Sequence, residues 1–137
     1  MAGFIDIACN FTHESFKDNL ETVIKNAEIQ KVNKFVLLCA SLKDLEPIKK
    51  IQESSPEQFF ISAGIHPHNA KEVLKIGYQD LLKKLAFSKP HAIGETGLDY
   101  FRNISSPEIQ RESFKMHIDI AKELNLPLYL HQRESHQ

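Results

Sequence analysis

The sequence predicts a parallel α/β fold, and three observations predict it. Short apolar runs of strand length alternate with longer segments whose apolar residues recur at helical spacing. They interleave as β-α-β-α-β-α-β-α-β, with a repeat of roughly 25–35 residues, which implies parallel strands joined by right-handed crossovers. The run Lys34-Phe35-Val36-Leu37-Leu38-Cys39-Ala40 is apolar on both faces, as strands covered on both sides are.

Taken in order, Phe4-Ile5-Asp6-Ile7-Ala8-Cys9 reads as the first strand, and Phe16, Leu20, Val23, Ile24 and Ala27 form one face of the first helix. The second strand covers 34–40. Asp44 then caps a second helix that tolerates Pro47 in its first turn. The third strand covers 59–65, followed by a helix with Tyr78, Leu81, Leu82 and Leu85 on its face and Gly77 weakening its start. The fourth strand covers 91–95. Ser106-Pro107 opens the fourth helix, whose face is Phe114, Ile118, Ala121 and Leu124, and Asn125 and Pro127 stop it. The fifth strand covers 128–131, and 131–137 reads as the start of a loop. A complete (β/α)₈ barrel takes about 250 residues. At 137 residues the expectation is one domain over 1–137, an incomplete barrel with about five of eight strands.

Seventeen basic residues nearly cancel eighteen acidic ones, leaving a formal net charge of −1. No whole-molecule field therefore drives nucleic-acid or membrane binding, and a phosphate-bearing substrate must be held locally. The apolar runs are too short to span a bilayer, and Met1-Ala2-Gly3 leads into the first strand without a signal-like stretch, so a cytoplasmic protein with no membrane partner is expected. Cys9 and Cys39 make neither a close-spaced metal pair nor a disulfide framework and read as buried fillers.

In parallel α/β folds, functional groups gather at the carboxyl ends of the strands. Here those ends carry Asn10-Phe11-Thr12-His13, Gly64-Ile65-His66-Pro67-His68, Gly94-Glu95-Thr96-Gly97-Leu98-Asp99 and His131-Gln132-Arg133. A carboxylate and several imidazoles on one rim suit divalent metals, which activate water near neutral pH. His117, on the apolar side of the fourth helix, reads as a satisfied structural histidine. His91 reads as structural and His13 as a loop cap.

These runs, from Asp6-Ile7 through Asn10-Phe11-Thr12 to Leu126-Pro127-Leu128-Tyr129-Leu130-His131-Gln132-Arg133, resemble the TatD family of metal-dependent hydrolases, nucleases with a TIM-barrel fold. The G-x-H-P run followed by G-E-x-G-L-D carries the resemblance. It covers this whole chain and the first half or so of a typical family member. The resemblance implies a two-metal site of Mg²⁺ or Mn²⁺, with Glu95 bridging the ions and His131 binding one of them. It implies that His66, with His68 beside it, faces the substrate, and that Arg133 lies near the rim as a phosphate contact or a surface ion pair. Asp99 belongs to the signature and is expected to order its loop rather than bind metal.

Two departures qualify that picture. Most members open with D-x-H-x-H, whereas Ala8 and Asn10 stand at the histidine positions here, and Asn10 offers only a weak amide oxygen. A branch that includes TatD itself shares the D-I-x-x-N-x-T opening. The family also draws a metal-binding His from its sixth strand and an Asp from its eighth, which these 137 residues do not contain. The leading expectation is metal-dependent hydrolysis of DNA phosphodiester bonds at strand ends. The alternatives are a truncated inactive product or an assembly half without catalysis, and an ester or lactone hydrolase of the wider barrel superfamily. An unclosed sheet exposes two edges and an apolar face, so closure by a second copy or a separate C-terminal half is the expected partnership.

Overall fold

A computed structural model describes residues 3–136, so Met1, Ala2 and Gln137, at the ends of the expected domain, lie outside the described residues. Five strands, β1 (Phe4–Cys9), β2 (Val32–Leu38), β3 (Phe59–Ala63), β4 (Ala92–Asp99) and β5 (Leu128–Arg133), form one sheet in chain order. All four neighbouring pairs are parallel, so every connection is a β-α-β crossover. The result is a curled half-barrel, the incomplete (β/α) architecture expected.

The helices are α1 (Leu20–Ile29), α2 (Leu45–Ser54), α3 (Ala70–Ile76), α4 (Tyr78–Phe87) and α5 (Pro107–Leu124). Phe35, Leu37, Phe59, Ile61 and Ile93 of the sheet pack with Ile48, Val73, Leu81, Leu85 and Ile120 of the helices in one buried cluster. Their alternates on β2 and β3, Val36, Leu38 and Phe60, are only half-buried. β1 is an exposed edge: Cys9 is its sole buried residue, and Phe4, Ile5 and Ile7 are 68%, 54% and 60% exposed.

Several elements differ from the expectation for identifiable reasons. Phe16 lies in a separate 3₁₀ turn, Glu14–Phe16, and α1 begins only at Leu20. Asp44 does not cap α2 with its side chain. Its carboxylate instead accepts the N–H groups of Ala40 and Ser41 and the Ser41 hydroxyl, closing a capping box over the 3₁₀ turn Leu42–Asp44. Gly77, at φ 74°, ends the short α3 and starts α4, so the single helix expected there is two. β4 runs four residues past Glu95, and β5 runs two past His131. The buried stripe of α5 is Gln110, Ser113, His117, Ile120 and Ala121; Phe114, Ile118 and Leu124 are only half-buried. The helix turns polar groups inward because they bond to strand-end backbone: His117 Nε2 accepts the Ile65 N–H at 3.0 Å, and its Nδ1 donates to Ser113 O at 2.7 Å. Asn125, in the left-handed conformation, ends α5 as expected.

Candidate active site

The site is built on an irregularity in β4. The β4–β5 register shifts between Ile93 and Thr96, and the Glu95 N–H turns to the Cys39 carbonyl at 3.3 Å. Glycines permit the close approach that surrounds it. A Cβ on Gly94 would collide with the Tyr129 carbonyl oxygen, and one on Gly97 with that of His131. Gly64 likewise sits against the Gly94 backbone. Glu95 therefore projects from within a strand rather than from the strand end expected.

Three ligand atoms converge there. One oxygen of Glu95 and one ring nitrogen each of His66 and His131 lie within 4.8 Å of one another, the size of a single-cation site. Glu95 Oε1 is 2.9 Å from His131 Nδ1 and 3.9 Å from His66 Nε2, and the two imidazoles meet at 3.2 Å. Glu95 and His131 are 21% and 22% exposed, open enough for ion and substrate to enter.

The surrounding hydrogen bonds assign the ring proton of His66. His66 Nδ1 accepts the His68 N–H at 3.2 Å, so Nε2 carries the proton of a neutral His66. Burial, aided by the neighbouring rings of His68 and His131, pushes the His66 pKa down to about 4 and keeps it neutral. His131 stands between two carboxylates, with Nδ1 2.9 Å from Glu95 Oε1 and Nε2 3.3 Å from Asp99 Oδ2, so either nitrogen can carry the ring proton. A cation held by Glu95 on the Nδ1 side leaves the ring proton on Nε2, facing Asp99. Glu95 and His131 thus fit a divalent ion, while His66 presents an N–H suited to an anionic oxygen.

The other expected residues fall around this centre. His68 Nε2 donates to Asp99 Oδ2 at 2.7 Å and stands edge-on to His66. Asn10, Leu38, Asn69, His66, His68 and Glu95 line a cleft of about 290 Å³. Asn10 and Asn69 also line an adjoining polar cleft that includes Thr12, His13 and Lys43. Arg133 does not join the cluster; its guanidinium lies 4.0 Å over the Phe101 ring. Asp6 accepts the Ala8 N–H, and His13 caps its 3₁₀ turn through the Ser15 N–H. His91 accepts the Ile61 N–H at the opposite strand ends, a structural role. Both cysteines are free and buried, with burial pushing each thiol up to about 12. A more apolar groove between α2 and α4, lined by Leu45, Lys49 and Phe87, carries none of these groups.

Sequence reasoning underrated Asp99. It is 1% exposed, and its Oδ1 orders the loop as expected by accepting the Arg102 N–H, but its Oδ2 meets two histidines, one from the 3₁₀ turn after β3 and one from β5. Gln110, inside α5, was not singled out from the sequence. A polar amide on the inner side of an amphipathic helix was the signal available.

A curled parallel sheet with carboxylate and imidazoles collected at one end of its strands defines a barrel-type α/β protein with a candidate metal centre. The chain belongs to the family described as TatD related DNase, whose profile matches residues 5–137. It is 35% identical over 133 residues to the "3'-5' ssDNA/RNA exonuclease TatD" of Pantoea vagans, covering 96% of this chain and 50% of that protein. The protein of the same name from Escherichia fergusonii is 30% identical over 132 residues, with 96% and 50% covered. Among solved structures, a TatD-family hydrolase of Entamoeba histolytica matches with a TM-score of 0.85 at 27% identity, over 98% of this chain and 52% of that one. A TatD homologue of Escherichia coli, at 24% identity and the same TM-score, shares the fold over 97% and 52%. The chain spans about half the length of the relatives it matches.

Proposed function

We propose that this chain carries the core of a metal-dependent phosphodiesterase acting on single-stranded DNA ends. The observation that carries the reading is the convergence of one ligand atom each from His66, Glu95 and His131 within 4.8 Å, with Glu95 Oε1 2.9 Å from His131 Nδ1. Family membership and the exonuclease names of the relatives support the choice of a nucleic-acid substrate.

In this reading Glu95 and His131 hold a divalent ion, Mg²⁺ or Mn²⁺, with Asn10 offering a weak amide oxygen at the cleft edge. When bound, such an ion supplies Lewis-acid polarisation of a phosphodiester and activation of water. His66 donates from Nε2 to a non-bridging phosphate oxygen, and its depressed pKa makes it a neutral donor that takes no proton from the site. His68 flanks that phosphate, and Arg133 reaches the strand at the rim, where its guanidinium suits a bidentate contact. The adjoining cleft past Asn10 and Asn69 receives the next nucleotide, with Lys43 beside it. Hydrolysis adds water across one P–O bond, giving a phosphate monoester and an alcohol.

The test is a 5′-labelled single-stranded oligonucleotide incubated with Mn²⁺ or Mg²⁺ at about millimolar concentration, as a weak oxygen-rich site requires. Stepwise shortening from the 3′ end, abolished by chelator and by Glu95→Gln, is expected. Cleavage that survives chelator, or ester and lactone turnover without nucleotide release, overturns the reading. So does a chain that neither binds Mn²⁺ nor shortens the oligonucleotide.

A further inference from the structure

We propose that Asp99 is a positioning carboxylate that fixes the ring orientation and tautomer of both His68 and His131, and that Gln110 of α5 holds Asp99 in place from behind. The inference rests on the reading of His131 as a metal ligand, and it assigns a task to two residues outside the ligand set.

Asp99 is the last residue of β4, where the ladder runs out and a strand end would otherwise be loose. Gln110 replaces the missing neighbour. Its side-chain amide pairs with the backbone as a peptide unit would: Oε1 accepts the Asp99 N–H at 2.7 Å, and Nε2 donates to Asp99 O at 3.0 Å and to Ser105 O at 2.7 Å. Gln110 is fully buried, so these bonds are not exchanged with water. On the opposite side, the Tyr100 N–H donates to Arg133 O and ties the same turn to β5. The direction of the Asp99 side chain is thereby set by the backbone on both flanks.

The carboxylate then divides its work. Oδ1 takes the Arg102 N–H at 2.9 Å and closes the turn. Ordering the loop needs nothing more. Oδ2 nevertheless meets His68 Nε2 at 2.7 Å and His131 Nε2 at 3.3 Å, rings that come from the loop after β3 and from β5. A carboxylate only accepts, so His68 presents Nε2–H to it; His131 faces a carboxylate at each nitrogen, and a cation at Glu95 leaves its proton on Nε2 toward Asp99 and its lone pair on Nδ1. For His131 that is the atom aimed at Glu95. A carboxylate behind a ligating imidazole fixes its tautomer and raises its basicity, and loss of such a partner typically weakens metal affinity 10–100-fold. Asp99 is not itself a ligand: its oxygens are occupied by these donors and it is buried, whereas Glu95 faces the cleft.

The test uses histidine ring ¹⁵N–¹H correlation spectra of the 137-residue chain saturated with diamagnetic Mg²⁺ at mildly alkaline pH, together with Mn²⁺ titration calorimetry. In the parent, both His68 and His131 should be Nε2–H tautomers; Nδ1–H at either ring overturns the proposal without any variant. Asp99→Asn keeps the shape but turns an amide toward the rings. It should shift both toward Nδ1–H and weaken Mn²⁺ binding at least tenfold, with circular dichroism unchanged. Asp99→Glu, which restores a carboxylate, should recover part of the affinity and the parent tautomer of at least one ring. Gln110→Met should lower affinity and broaden the His68 and His131 signals while leaving Glu95 in place. If Asp99→Asn leaves tautomers and affinity unaltered while His131→Ala weakens binding, the positioning role falls and the ligand reading stands. If His131→Ala binds Mn²⁺ like the parent, the ligand reading itself falls, and the tautomer shift alone then decides whether Asp99 orients the rings.

Discussion

At the residue scale, Glu95 and His131 carry unequal shares of the proposed ion site. Glu95 brings a full negative charge into a cleft, whereas His131 brings a neutral lone pair, so the carboxylate contributes most of the attraction for a divalent ion. Glu95→Gln keeps the size of the side chain and removes the charge. Calorimetric titration with Mn²⁺ should therefore show binding lost, or weakened by about two orders of magnitude or more, with far-ultraviolet circular dichroism unaltered. His131→Ala should weaken binding less, because Glu95 remains. A Glu95→Gln variant that binds as tightly as the parent would show that the ion site lies elsewhere. Glu95, His131, His66 and His68 were legible in the sequence because motif residues at strand ends converge on one rim in this architecture. Arg133 was legible only as a rim residue; its stacking on Phe101 depends on a side-chain choice that no spacing encodes. The dual engagement of Asp99 was hidden for a similar reason. A signature residue shows that its position matters, whereas the bonds its two oxygens make depend on where β3, β4 and β5 come together.

At the element scale, α5 links the core to the chemistry. Its inner face meets the end of β3 through His117 and the end of β4 through Gln110, so one helix sets the height of two strand ends beside the cleft. His117 is fully buried, and burial pushes its pKa down from 6.5 to about 4, partly offset by its bond to Ser113 O. The unfolded chain thus takes up a proton at this residue at higher pH than the folded one. Stability from this group is complete above about pH 6.5 and is lost as pH falls toward 4, by about 3 kcal/mol. His117→Ala leaves the Ile65 N–H without its acceptor and opens a small cavity, which should cost about 3 kcal/mol at neutral pH. The gap between parent and variant in urea unfolding should shrink as pH falls through that window, and a gap constant with pH would refute the assignment. The fold was legible at this scale wherever one period dominated. Alternating apolar runs gave all five strands, and Ser106-Pro107 and Asn125 bounded α5. The face of α5 was misplaced by about one residue position because apolar periodicity was weighed and, His117 apart, buried polar residues were not: Gln110 and His117 point inward to bond strand-end backbone, with Ser113 buried between them. The split at Gly77 was missed because a glycine that weakens one helix start also serves as the end of the helix before it.

At the scale of the whole molecule, the sheet has two unpaired edges, β1 and β5, and both carry apolar side chains in water. Phe4, Ile5 and Ile7 on β1 are more than half exposed, and Leu130 on β5 is 56% exposed. Unpaired strand N–H and C=O groups beside apolar side chains form a template for another strand. No charge imbalance opposes contact, since the net charge is only −1. The 137-residue chain should therefore associate with copies of itself. Light scattering coupled to size exclusion should give a mass above 15.7 kDa that rises with concentration, and an apolar dye should fluoresce on binding. Ile7→Lys and Leu130→Lys place a charge on each edge without touching the buried cluster, because both side chains are exposed. Each should lower the associated fraction and the dye signal, and the pair together should lower them further, while circular dichroism stays that of the parent. His131 lies on β5, one of these edges, so association through β5 would restrict the strand that carries a proposed ligand. Mn²⁺ affinity should then rise with protein concentration in the parent and lose that dependence in Leu130→Lys. A compact, dye-silent species of 15.7 kDa at every concentration would mean that the open half-barrel satisfies its own edges, and the link between association and the ion site would fall with it.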